Sequence, residues 1–227
     1  MLLKYNTGLN THRIYQDTTM LFSNVKTELC TIMTKHGSDK GNHVHHNYTT
    51  LYHELFSTLR DKPIRLFELG IGTNNIFIPS NMGANGKPGA SLYAWQEYFS
   101  QAIICAADID RDILFNTPRI HTFFCDQTDK SSIELLWMQP ELQESFDIII
   151  EDGLHEFDAN VKFFENSIHK LKDNGYFIIE DILVKNLGLY YTKIREWRIK
   201  YPQRTFTIVT YEQPSNNNSD NCVIVVH

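Results

Sequence analysis

From about residue 64 onward, short apolar runs alternate with stretches whose apolar residues recur at helical spacing, and that alternation leaves few folds open. Apolar runs at 64–69, 102–109, 120–125, 146–150 and 176–179 read as strands covered on both faces, and 91–99, 131–136, 158–171 and 187–200 read as the helices between them. After the last helix the pattern changes. Residues 205–212 and 221–227 are β-rich, and the polar segment Gln213-Pro-Ser-Asn-Asn-Asn-Ser-Asp220 between them is too short for a crossover helix, which predicts an antiparallel hairpin. The expected architecture is α/β: a doubly wound, mostly parallel seven-stranded sheet with a C-terminal antiparallel hairpin, spanning 61–227. Residues 1–60 are expected to form a helical extension packed on that core, with a capped helix at 23–34 and a turn at Gly37-Ser-Asp-Lys-Gly41.

Two acidic clusters close apolar runs in this sheet: Phe146-Asp-Ile-Ile-Ile-Glu-Asp152-Gly-Leu-His155 and Gly175-Tyr-Phe-Ile-Ile-Glu180-Asp181. A buried carboxylate is costly unless paired or coordinated, and neighbouring carboxylates raise one another's pKa, so the pattern calls for a divalent cation held by Asp152, Glu180 and Asp181. Mg²⁺ suits oxygen donors of this kind. Consecutive strand residues point to opposite faces, so Glu180 and Asp181 reach one ion together only if the strand breaks there. His155 precedes a helix whose N-terminal dipole favours a neutral imidazole, which makes it the candidate base. His43, His45 and His46 lie in a polar loop, where metal binding, substrate contact and simple surface exposure all remain open.

The first strand runs into Glu68-Leu-Gly70-Ile-Gly72, so Gly70 and Gly72 let backbone approach a ligand at the carboxyl edge. A dinucleotide fingerprint would carry a third glycine leading into a helix; here a Gly/Asn/Pro-containing insertion at 77–90 intervenes. Glu68 would repel a diphosphate but favour a cationic amino group, such as the methionine end of S-adenosylmethionine. Asp108 is placed to accept from two ribose hydroxyls, and Asp126 and Gln127 to read the adenine amino group. Each has an ordinary alternative as a turn or cap residue, but three successive strand exits share one edge of a doubly wound sheet.

Excess acid, 27 Asp+Glu against 21 Lys+Arg, with no basic tail or stripe, argues against nucleic acid. Four cysteines without CxxC spacing fit a reducing compartment. No apolar stretch approaches the roughly 20 residues of a membrane span, and the first residues lack a secretory apolar region. The expectation is a cytoplasmic protein with no membrane partner, with a homo-oligomer left open.

His36-Gly-Ser-Asp-Lys40, Tyr48-Thr-Thr-Leu-Tyr52, Phe67-Glu-Leu-Gly-Ile-Gly72, Gly89-Ala-Ser-Leu-Tyr93, Asp126-Gln-Thr-Asp129, Asp152-Gly-Leu-His155 and Gly175-Tyr-Phe-Ile-Ile-Glu-Asp181 resemble the metal-dependent sugar O-methyltransferases of the mycinamicin and macrocin type. The terminal hairpin likewise matches how class I, Rossmann-like methyltransferases end. The resemblance implies that Asp152 is a metal ligand, His155 the general base, and the Glu180-Asp181 pair the rest of the metal site. Ser38 joins the cofactor-binding set. It further implies methyl transfer from S-adenosylmethionine to a sugar hydroxyl with Mg²⁺ orienting the acceptor. Leu154 stands where the family usually has a small serine, and the sequence as read is shorter at its N-terminus than the family's macrolide enzymes, so their large auxiliary domain is not expected in it. The same motifs also resemble proteins called cephalosporin hydroxylases. Two other readings compete: a non-catalytic cofactor-binding module, and an NAD-dependent oxidoreductase disfavoured by the missing third glycine, Glu68 and the terminal hairpin.

Overall fold

The computed structural model describes residues 19–22, 26–41, 46–211 and 220–227. His43 and His45, the predicted helix start at 23–25 and most of the hairpin connection, 212–219, lie outside the described residues. Strands β1 (Thr19–Phe22), β2 (Arg65–Leu69), β3 (Ile103–Asp108), β4 (Ile120–Phe124), β5 (Phe146–Glu151), β6 (Leu171–Ile179), β7 (Phe206–Tyr211) and β8 (Cys222–Val226) form one sheet in the order β1-β7-β8-β6-β5-β2-β3-β4. β2 to β6 pair in parallel, while β8 runs antiparallel to both β6 and β7. The seven expected strands and the terminal hairpin are all present. The eighth, β1, comes from the N-terminal segment and pairs in parallel with β7 at the edge; it is four residues long, too short for its period to stand out in the sequence.

Helices α1 (Glu28–His36), α2 (Tyr48–Phe56) and α3 (Ala90–Tyr98) cover one face, and α4 (Lys130–Trp137), α5 (Phe157–Ser167) and α6 (Leu187–Lys200) the other. The triple isoleucine of β5 shows why the strands read as unbroken apolar runs. Ile148 and Ile150 point into the first core and Ile149 into the second, all fully buried. α1 begins later than its pattern suggests because Thr27 is the residue that caps it, accepting from Cys30 N at 3.1 Å. It stops at Gly37, whose φ of 90° suits the left-handed C-cap.

Leu29, Ile32 and Met33 of α1 and Leu51, Tyr52 and Phe56 of α2 share one core with Leu66, Leu92 and Trp95. This packing sets the turn after α1 over the carboxyl edge of the sheet. All four cysteines are buried and none is in a disulfide. Among the described residues, no helix is long and apolar enough to cross a membrane.

Candidate active site

Parallel pairing puts the exits of β2, β3, β5 and β6 on one edge. Asp152 continues the ladder past β5, its N–H donating to Leu69 O at 2.9 Å, and Glu180 N does the same to Glu151 O at 2.9 Å. The chain then turns sharply. His155 and Asp181 both have left-handed backbones, φ 62° and 52°, which non-glycine residues adopt only where the surrounding structure compels it. At Asp181 this breaks the strand's alternation, so Glu180 and Asp181 line the same cavity rather than opposite faces. Asp152, His155 and Asp181 offer donor atoms all within 4.8 Å of one another. His155 Nε2 stands 3.2 Å from both Asp152 Oδ1 and Asp181 Oδ2.

Residues distant in sequence close this corner. Lys40, 2% exposed, brings Nζ against Asp152 Oδ2, to 2.6 Å from Glu180 Oε2 and to 3.6 Å from Glu68 Oε1. The Tyr48 hydroxyl donates to Asp181 Oδ1 and the Tyr52 hydroxyl to Glu180 Oε1. His46 stacks on Tyr48, with Nδ1 3.6 Å from Asp181 Oδ1. Four carboxyls thus face one ammonium and two imidazoles. Burial pushes Glu68, Glu180 and Asp181 above the usual carboxylate range. For Asp152 burial acts the same way, but Lys40 and His155 outweigh it and hold the group low. On His155, burial is overcome by Asp181 and Asp152, which push the imidazole up to about 10. That is opposite to the neutral ring expected from a helix dipole, because α5 starts only at Phe157 and the two carboxylates are nearer.

On the neighbouring side the carboxylates are satisfied locally. Asp108 accepts from Ile71 N at 2.7 Å and Asp110 N at 2.9 Å, and Asp126 from the backbone and hydroxyl of Thr128. Gly70 has φ 91°, and a Cβ there would come within 1.9 Å of Asp152 O, so only glycine fits where β2 and β5 part. A cavity of about 200 Å³ lined by Asp108, Asp126, Gln127 and Leu154 meets a larger one of about 680 Å³ lined by Ser38, Lys40, Asp152, His155, Glu180 and Asp181. Gly70, Gly72, Ser80 and Asp152 border both.

Two expected cofactor residues are placed differently from the others. Glu68 is fully buried and lines neither cavity: Oε2 accepts from Trp95 Nε1 at 2.6 Å, and the cation it faces is Lys40. Gln127 has both ends of its amide engaged, Nε2 on Glu151 Oε1 at 2.6 Å and Oε1 with Leu154 N at 2.8 Å, so it braces the Asp152–His155 turn. Sequence reasoning missed Lys40, Tyr48 and Tyr52 as site residues. The signals available were that all three stand at the ends of motifs carrying the family resemblance, His36–Lys40 and Tyr48–Tyr52, and that the i, i+4 spacing of the tyrosines puts both hydroxyls on one side of α2.

In overall shape the chain is similar to the MycE methyltransferase of the mycinamycin biosynthetic pathway in complex with Mg and SAH, with a TM-score of 0.67 over 90% of this chain and 55% of that one, at 21% identity. The fold is that of the class I methyltransferases. In sequence its relatives are sugar O-methyltransferases. The 8-demethyl-8-alpha-L-rhamnosyl tetracenomycin-C 2'-O-methyltransferase of Streptomyces olivaceus is 29% identical over 154 residues, 68% of this chain and 37% of that protein. The 3'-O-methyltransferase acting on the 2-methoxy derivative in the same organism is 30% identical over 155 residues, with the same coverage. The demethylmacrocin O-methyltransferase of Streptomyces fradiae is 28% identical over 137 residues, 60% of this chain and 32% of that enzyme. The chain therefore spans about a third of the length of the curated relatives it matches. No protein-family model matches it.

Proposed function

We infer that the chain transfers a methyl group from S-adenosylmethionine to a hydroxyl of a sugar-bearing small molecule, in the cytoplasm, without nucleic-acid or membrane partners. The observation that carries this reading is the junction of two cavities at Gly70 and Asp152, one bordered by a ribose-type carboxylate and the other by a buried acidic corner. The names of the relatives point the same way. Those from Streptomyces olivaceus are named for methylating the 2'- and 3'-positions of a rhamnosyl tetracenomycin, and one MycE complex holds Mg, SAH and mycinamycin VI.

Asp108 would accept from the ribose hydroxyls and Asp126 from the adenine amino group, with Gln127 shaping the adenine wall by fixing Leu154. Gly70 and Gly72 allow the backbone to approach the methionine portion, Ser38 borders it, and Glu68 acts from behind through Lys40. The acidic corner fits a hard divalent cation: Asp152, Asp181 and His155 offer donor atoms within 4.8 Å of one another, Glu180 lines the same cavity with its oxygens on Lys40 and Tyr52, and the carboxyls outnumber the chain's own cations there. Asp152, Glu180 and Asp181 would hold Mg²⁺. When bound, the ion supplies Lewis acidity toward the acceptor hydroxyl. His155 would take the acceptor hydroxyl's proton at Nε2, and S-adenosylmethionine would supply the methyl group, its carbon–sulfur bond breaking as the carbon–oxygen bond forms and S-adenosylhomocysteine being released. The imidazole is competent for this once the carboxylate charge that raises its pKa is shared with a cation.

Thermal-shift measurements with S-adenosylmethionine, S-adenosylhomocysteine and NAD test the cofactor: the first two should raise the melting temperature and NAD should not. Methylation of a rhamnosyl acceptor should stop in EDTA and return with Mg²⁺. His155→Ala should lose turnover while S-adenosylhomocysteine binding stays measurable by calorimetry. Stabilisation by NAD alone, or full activity in chelator, would sink the reading.

A further inference from the structure

Among the described residues, Lys40 is a lysine buried to 2% exposure. It lies in the short 3-10 turn Asp39–Gly41 behind the left-handed cap of α1, and that turn is seated on the helix by Cys30 Sγ donating to Gly41 O at 2.7 Å. A Cβ at Gly41 would meet Cys30 O at 2.7 Å and Met33 Cβ at 2.8 Å, so only glycine lets the turn lie this close to α1. A buried ammonium is expensive unless each of its donors is used. Here all its side-chain partners are carboxylates, one from each of three adjacent strand exits: Glu68 at the end of β2, Asp152 after β5 and Glu180 after β6.

Two details show what this contact does. Glu68 Oε1 is buried with no hydrogen-bond partner, and the ammonium at 3.6 Å is the charge that faces it. Asp152 is split between two cations, Oδ2 on Lys40 and Oδ1 toward His155, so the ammonium fixes the rotamer that turns Oδ1 to the His155–Asp181 corner. Lys40 itself borders the larger cavity.

We propose that Lys40 is a positioning residue, a fixed internal counter-charge that orients Asp152 and Glu180 and sets how tightly the acidic corner holds its divalent cation. This rests on the metal reading above. Lys40 lowers the attraction of the corner for a cation while keeping its carboxylates ordered, which favours correct placement over tight binding. It also makes the N-terminal segment part of the reaction centre.

The test is calorimetric titration of the metal-free full chain with Mg²⁺, alongside turnover. Lys40→Met, which keeps the length of the stem and removes the charge, should bind Mg²⁺ at least tenfold more tightly and turn over at least a hundredfold more slowly; Lys40→Arg, which keeps the charge, should bind Mg²⁺ as the wild type does. Because Lys40→Met leaves Glu68 and Glu180 without their cation and is prone to misfold, the same comparison is made between Glu68→Gln and Glu68→Gln/Lys40→Met, where one buried carboxylate fewer needs compensation. A lower melting temperature with Mg²⁺ affinity within twofold of the parent would reduce Lys40 to a structural role and overturn the proposal. Weaker Mg²⁺ binding would overturn the counter-charge as well. If the wild type binds no divalent ion, the metal reading fails first and takes this inference with it.

Discussion

The two sides of the carboxyl edge neutralise their acids by different means. Around Asp108 the donors are backbone N–H groups within the same loop and the Ile71 amide of the adjacent strand exit, with Asp110 receiving the Thr73 hydroxyl and Asp112 N. Around Asp152 the donors are side chains: Lys40, Tyr48 and Tyr52, brought from far along the chain, and His155 from the same turn. Backbone donors are neutral and permanent, so the first side needs no further cation. Side-chain cations are too few for four carboxyls, so the second side keeps a surplus of negative charge. The proposed placing of a neutral diol on one side and a cation on the other rests on that difference.

Asp152→Asn attacks this contrast where it is sharpest. It should cost roughly 10³-fold in turnover, the scale for loss of one preorganised electrostatic group, and abolish Mg²⁺-induced thermal stabilisation while leaving S-adenosylhomocysteine binding nearly intact. Parallel loss of both ligands would erase the division of labour between the two sides.

Glu151 lies between the sides, 1% exposed, and burial pushes its carboxyl up to about 7 from 4.5. The folded state therefore prefers the protonated acid: its contribution is fully present below pH 4.5 and is lost as pH rises through 7. Glu151→Gln removes that dependence. In metal-free protein the variant should match the wild type near pH 4.5 and exceed its stability at pH 8 by about 3 kcal/mol, read from urea melts. An offset that does not change with pH would assign Glu151 to packing alone.

On the cofactor side, Asp108→Asn should weaken S-adenosylhomocysteine by about 10- to 100-fold, the worth of hydrogen bonds to a charged acceptor, with Mg²⁺ binding unchanged. The smallest effect belongs to Tyr52→Phe, which deletes the hydroxyl donated to Glu180 Oε1. A loss of about 1 kcal/mol is expected, lowering the melting temperature by about 3 °C in a chain of this size. A markedly larger loss would show that Glu180 depends on Tyr52 more than on Lys40.

Much of the fold was legible because β2, β3, β5 and the end of β6 are buried on both faces and α3 to α6 on one, which imposes distinct apolar periods. Glu68, Asp108, Asp126, Asp152, Glu180 and Asp181 could be placed at one edge from that alternation alone. β1 could not be seen, since four residues at an edge carry little pattern. Gln127 was placed at the correct strand exit, but its amide is spent on Glu151 and Leu154, a choice made by neighbours in space.

By itself the sequence determined the order of strands and helices, the terminal hairpin, and which acids stand at the strand exits, because these follow from local periodicity and from the shape of parallel connections. It also marked Gly70 as a place for backbone alone. Only the tertiary structure decided which groups face those acids. Lys40 is 112 positions from Asp152 and 140 from Glu180, and nothing in local spacing couples them. They meet because α1 and α2 pack into the same core as β2 and α3, and Coulomb interactions depend on distance in space, whatever the separation along the chain.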